Sequence, residues 1–194
     1  MSEFELFFGL GLDHILDIDG YDHILFVIAL CAIYEAREWK RILILVTAFT
    51  IGHSITLAMA TMKLVTLDAS LIEFLIPVTI FITALVNIVN RDHELTPKQV
   101  KQNYGLALGF GLIHGMGFSN YLKSLLGQDE SIVNQLFAFN VGLEVGQIII
   151  VVVFIVVGVI LRTFFFVDRR DWVTIVSSAV MGVAITLMID TKFW

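Results

Sequence analysis

The apolar segment at residues 131–166 is longer than one perpendicular membrane crossing requires. A bilayer core about 30 Å thick takes roughly 20 residues of helix at about 1.5 Å rise each. The segment must therefore tilt, kink or extend out of the membrane. Residues 21–34, 41–62, 70–90, 103–122 and 172–190 meet or approach the crossing length. The first of these is short and borrows from the stretch before it. Hydrophobic residues make up 58% of the chain and charged residues 15%. Soluble domains average roughly 45–50% and about 25%. A soluble globule of this size could not hide so much apolar surface. Low charge with high hydrophobicity excludes disorder. A single cysteine, Cys31, excludes a disulfide scaffold. With 12 basic residues against 18 acidic ones, nucleic acid is not an expected partner. The expected fold is all-α: a polytopic membrane helical bundle of six transmembrane helices, one integral membrane domain over residues 1–194, with the lipid bilayer as its first partner.

Ahead of the first span, Phe4 to Leu12 is apolar but short and has no basic n-region, which disfavours a cleavable signal peptide. It is expected to form an interfacial or short helix, with a seventh crossing as the alternative. Arg37, Lys40, Arg41, Arg91, Lys98, Lys101, Arg162, Arg169 and Arg170 fall in alternate connections, against Lys63, Lys123 and Lys192 in the others. The positive-inside rule then puts both termini outside, in a multi-pass membrane protein. No internal repeat is expected.

Polar residues at bilayer depth need partners or water, because a buried charge there costs several kcal/mol. The second span carries Thr50, His53 and Thr56 at a spacing that shares one face. The fourth carries His114 among Gly105, Gly109, Gly111, Gly115 and Gly117. Such glycines permit close helix approach and would permit a homo-oligomer. In the fifth, Asn140, Glu144 and Gln147 form one stripe, and Gly142 and Gly146 make a small-xxx-small pattern. No fixed opposite charge lies at the depth of Glu144. At the edge of the first span stand Asp13, His14, Asp17, Asp19, Asp22 and His23. In one unbroken helix His14 and His23 would point to opposite sides, so their convergence needs a bend, with Gly20 as the bend point.

Each feature has a plainer reading. Asp22 and His23 could cap a helix. His53 and His114 could each bond a threonine or carbonyl of a neighbouring helix, and Asn140 and Gln147 could hold helices together. Taken together, imidazole nitrogens and carboxylate oxygens suit a borderline divalent metal ion such as nickel, cobalt or zinc. Magnesium and calcium prefer oxygen alone.

Four motifs carry a family resemblance. They are Asp22-His23-Ile24-Leu25-Phe26, Thr47-Ala48-Phe49-Thr50-Ile51-Gly52-His53-Ser54, His114-Gly115-Met116-Gly117-Phe118 and Phe139-Asn140-Val141-Gly142-Leu143-Glu144-Val145-Gly146-Gln147. In this order the chain resembles the HupE/UreJ family of small bacterial membrane proteins, from about Gly11 to Gln147 and more weakly beyond. The resemblance implies a nickel or cobalt permease. The family pattern has a histidine a few residues before an Asp-His pair; His14 takes that place, somewhat further from Asp22-His23.

The expected function is uptake of a divalent transition metal across the cytoplasmic membrane. Asp19, Asp22, His23 and His14 would capture the ion at the outer edge. His53, His114 and Glu144 would hold it in mid-membrane, supported by Thr50, Asn140 and Gln147. No nucleotide-binding loop is present, so ATP would not be used directly. Two other classes fit the same residues: an intramembrane zinc hydrolase, with metal and an open water position, and a metal-binding accessory or sensor protein. Transport is preferred to enzymatic activity.

Overall fold

The computed structural model describes residues 2–65, 68–117 and 133–194. Among them are seven α-helices and no strand: α1 (Glu3–Leu16), α2 (Asp22–Ala32), α3 (Trp39–Thr61), α4 (Ala69–Val89), α5 (Pro97–Gly117), α6 (Val133–Phe165) and α7 (Arg169–Asp190). A 3-10 turn, Ala36–Glu38, leads into α3. The expected residues Leu122, Lys123 and Ser131 lie outside the described ones.

Local chemistry sets several boundaries. Ser2 and Glu5 form a reciprocal capping box at the start of α1. At its far end the Asp19 amide donates to Asp17 Oδ1 at 2.9 Å, a side-chain turn that competes with the helix. Asp68 accepts from the Ser70 and Leu71 amides and caps α4. Pro97 opens α5, where its missing N–H costs no helical bond.

The expectation of six spanning helices is corrected. Four described helices are long and apolar enough to cross a membrane: α3 with its leading turn, α4, α6 and α7. The first expected span shrinks to α2, of 11 residues, about 16 Å long at the helical rise. The fourth becomes α5, whose first half carries Lys98, Gln99, Lys101, Gln102 and Asn103. Such polarity leaves too short an apolar run.

α2 is short because it is core. His23, Phe26, Val27, Ala29, Leu30, Cys31 and Ala32 are all buried, and the helix packs on α1, α3, α4, α6 and α7. A helix apolar all round belongs inside a bundle. α1 and α2 follow one another along α6. Glu3 accepts from the Gln135 side chain at 2.5 Å, Gly11 lies on the backbone of Phe139 and Leu143, and Gly146 lies on Ile15. Further along, Cys31 and Tyr34 share a cavity with Phe154, Ile155 and Arg162. The 33-residue length of α6 is thus matched by two shorter helices laid end to end.

The most extensive helix pairs are α3 with α5, α1 with α6, and α4 with α7. In the first two the contact is glycine on backbone. A Cβ on Gly52 would strike the carbonyl of Leu108, and one on Gly111 the carbonyl of Phe49. Gly105 and Gly109 have nothing within 4 Å, so only part of the glycine run serves close packing.

The basic connections meet at one end of the bundle. There Arg169 donates to the carbonyls of Ile33 and Arg91, both at 3.0 Å, covering the C-terminal ends of α2 and α4. Arg37 pairs with Glu94 and Arg170 with Asp92, each at 2.9 Å. Asn103 donates to the Tyr34 hydroxyl at 3.1 Å. α3, α5 and α7 begin at this end; α2, α4 and α6 finish there.

Candidate metal centre

The break at residues 17–21 decides the site. It stops α1 just after His14 and starts α2 just before His23, so the two rings meet with centres 4.6 Å apart. α3 brings His53, 5.9 Å from His14 and 6.0 Å from His23. α5 brings His114, 5.2 Å from His23. Four imidazoles from four helices therefore converge. His14 is half-buried; His23, His53 and His114 are 5%, 0% and 1% exposed. Phe26, Phe49 and Phe139, all fully buried, wall the group. Phe26 and Phe49 stand 4.9 and 5.2 Å from the His114 ring, and Phe139 5.8 Å from His14.

Hydrogen bonds fix which nitrogens hold protons. Asp22 Oδ1 lies 3.0 Å from His23 Nδ1. A carboxylate accepts only, so Nδ1 carries the hydrogen and the lone pair is on Nε2. Nε2 is buried without a hydrogen-bond partner. Thr79 Oγ1 donates to the Ile76 carbonyl at 2.7 Å. Its one proton is thereby used, and it accepts from His114 Nε2 at 2.9 Å. The His114 lone pair is then on Nδ1, which is also buried and unpartnered. Both ring nitrogens of His53 are buried without a partner. Leaving such groups bare is costly, and a metal ion is a ligand that neutral imidazoles can take. Two imidazoles sharing one ion through bonds of about 2.0–2.1 Å have ring centres roughly 5 Å apart. Among the described residues, no three His, Cys, Asp or Glu side chains already stand in metal-holding geometry, so the rings must turn to close on an ion.

The other sequence-selected residues fall elsewhere. Asp19 is exposed in the turn. Glu144 is half-buried and accepts from Thr47 Oγ1 at 2.6 Å, with Oε2 unpartnered. Thr50 Oγ1 donates to Gln147 Oε1 at 2.9 Å, which makes these two a bridge between α3 and α6. Asn140 Nδ2 donates to the Leu136 carbonyl at 2.8 Å on its own helix. The structure thus gathers His14, Asp22, His23, His53 and His114, and joins Glu144 to Thr47 and Gln147 to Thr50 in hydrogen bonds between α3 and α6. Thr79 escapes sequence reading, because a threonine in an apolar helix more often bonds its own backbone; no local signal links it to a histidine on the next helix.

The family model described as HupE / UreJ protein matches residues 1–192, well beyond the stretch that carries the motifs. Comparison with curated proteins and with solved structures finds no match. With buried imidazoles converging inside a bundle of apolar helices, and a match over almost its whole length, the chain belongs to the HupE/UreJ family.

Proposed function

We propose that this protein carries a divalent transition metal, nickel or cobalt in kind, across the bacterial inner membrane. The observation that supports this most is the meeting of His14, His23, His53 and His114 inside the bundle, with buried lone pairs on three of them. Family membership points the same way. Neutral imidazole suits borderline ions better than magnesium or calcium.

In this reading Asp13, Asp17 and Asp19 draw cations to an open cavity of about 590 Å³ that reaches His14. The cation passes to the imidazoles, where Asp22 and Thr79 hold two rings in their metal-binding tautomers. Glu144 takes a proton as the metal moves, since a carboxylate between helices can be neutral or sit beside a cation. The basic end faces the cytoplasm and both termini face outside.

Nickel uptake into proteoliposomes of the purified protein tests the reading. Wild type accumulates nickel, and His23→Ala and His114→Ala do not. Equal uptake by both variants would overturn it.

A further inference from the structure

Two pairs of helices carry matching sequences. Gly9-Leu10-Gly11-Leu12-Asp13-His14 of α1 is matched by Gly109-Phe110-Gly111-Leu112-Ile113-His114 of α5. Ala48-Phe49-Thr50-Ile51-Gly52 of α3 is matched by Ala138-Phe139-Asn140-Val141-Gly142 of α6. The spacing between the two motifs differs in the two pairs, which hides the match in the linear chain.

The contacts repeat too. A Cβ on Gly11 would meet the Phe139 carbonyl and the Leu143 amide, and one on Gly142 the Phe8 carbonyl and the Leu12 amide. On the other pair, Gly111 meets the Phe49 carbonyl and the His53 amide, and Gly52 the Leu108 carbonyl and the Leu112 amide. Each glycine thus lies on the carbonyl three residues before, and the amide one residue after, the glycine opposite. One turn on, Gly146 lies on the Ile15 side chain and Gly115 on the Thr56 hydroxyl, at matching positions, but Gly115 lies closest to the His53 carbonyl. Phe139 stands by His14 as Phe49 stands by His114.

Direction completes the relation. α1 runs parallel to α6, and α3 parallel to α5, by the order of these contacts. α3 and α5 start at the basic end, where α6 finishes. The two pairs are therefore inverted, and each copy lends its leading helix to the other. α4 and α7, which follow α3 and α6, pack on each other.

The equivalent faces also differ in the space beside them. Leu10 lines the open cavity of about 590 Å³ with Asp13 and His14. Its counterpart Phe110 lines a cavity of about 20 Å³ beside Asn87 and Asn103. Inverted repeats around a central site are a general way to expose it to either side in turn.

We infer that α1, α3 and α4 and, inverted, α5, α6 and α7 are two copies of one three-helix arrangement, α2 having no counterpart among the described residues, and that α1 and α5 exchange environments so that the histidine centre opens first on the Leu10 face and then on the Phe110 face. The second half of this rests on the metal-carrying reading.

The test uses the full chain with Cys31→Ser, in proteoliposomes, carrying Leu10→Cys or Phe110→Cys. Modification by a charged thiol reagent present on both sides is timed. With the second state populated at roughly 10% or less, the Leu10 position reacts at least about tenfold faster without metal. Nickel chloride slows that position and speeds the Phe110 position. If nickel is carried while both rates move together or stay fixed, the exchange is overturned and the metal reading survives. If nickel is not carried, the metal reading fails, and a metal-free measurement decides the repeat. Ile15→Gly and Gly146→Thr, made together, give α1 and α6 the residues that α5 and α3 carry at the matching positions. A narrowed difference in reactivity supports the exchange. An unchanged difference in a monodisperse protein overturns it.

Discussion

The hydroxyl of Thr79 on α4 accepts the Nε2 proton of His114 on α5, 2.9 Å away, while donating its own to Ile76. This pair of bonds leaves the His114 lone pair on Nδ1, which is buried without a hydrogen-bond partner. Thr79→Val removes the acceptor and keeps the shape. Nickel affinity is expected to fall about 10–100-fold, the usual cost of losing a residue that orients a metal ligand. Thr79→Ser should bind nearly as wild type by titration calorimetry. A valine variant with unchanged affinity would mean that the hydroxyl does not orient the ring.

Asp22 plays the same part for His23. Asp22→Ala frees the Nδ1 hydrogen, so the ring can turn and change tautomer. Affinity for nickel should again drop roughly 10–100-fold, with a loss of about 1–3 kcal/mol in stability, because the buried Nδ1–H of His23 loses its acceptor. A loss of stability with affinity intact would assign Asp22 to the fold instead.

Glu144→Gln keeps an acceptor for the Thr47 hydroxyl but cannot gain or lose a proton. Purified protein should still bind nickel, while proton-driven uptake falls to background. Wild-type uptake by this variant would remove Glu144 from the route.

The glycines divide by position. Gly52→Ala and Gly111→Ala push a methyl into a neighbouring carbonyl, and the strain should cost at least about 1–3 kcal/mol. Gly105→Ala and Gly109→Ala meet open space and gain up to about 1 kcal/mol of helix propensity. Unfolding midpoints in mixed detergent should rank the four variants in that order; a uniform response would show that the crossings are not tight.

Arg169 donates to Ile33 and Arg91 at the ends of two helices. Arg169→Ala should destabilise the bundle by about 1.5–3 kcal/mol, the range for hydrogen bonds from a charged donor. Arg169→Lys reaches one carbonyl and should recover part of the loss. No loss on alanine substitution would show that water replaces the guanidinium.

Much of the architecture is legible along the chain because it depends on local composition. Apolar length marks α3, α4, α6 and α7, whereas α5 begins at Pro97, in a charged stretch that reads as a loop. The polar residues within apolar segments draw attention to His53, His114 and Glu144, since each is expensive in hydrocarbon. Apolarity alone misplaces α2: it is apolar because protein surrounds it, and hydropathy does not distinguish protein from lipid. Helical spacing shows which face a residue shares on its own helix but not which helix that face meets.

The sequence by itself determined the solvent, the all-α class, the family and the residue types from which a metal centre could be made. Each of these follows from composition or from short motifs. Only the tertiary structure decided that His14 meets His23 across a broken helix and that Thr79 sets the tautomer of His114. It also decided that Glu144 bonds Thr47 and that matching glycines cross in two inverted pairs. These are contacts between helices distant in the chain, set by how glycine lets backbones approach and how a short turn redirects a helix, and no local pattern encodes them.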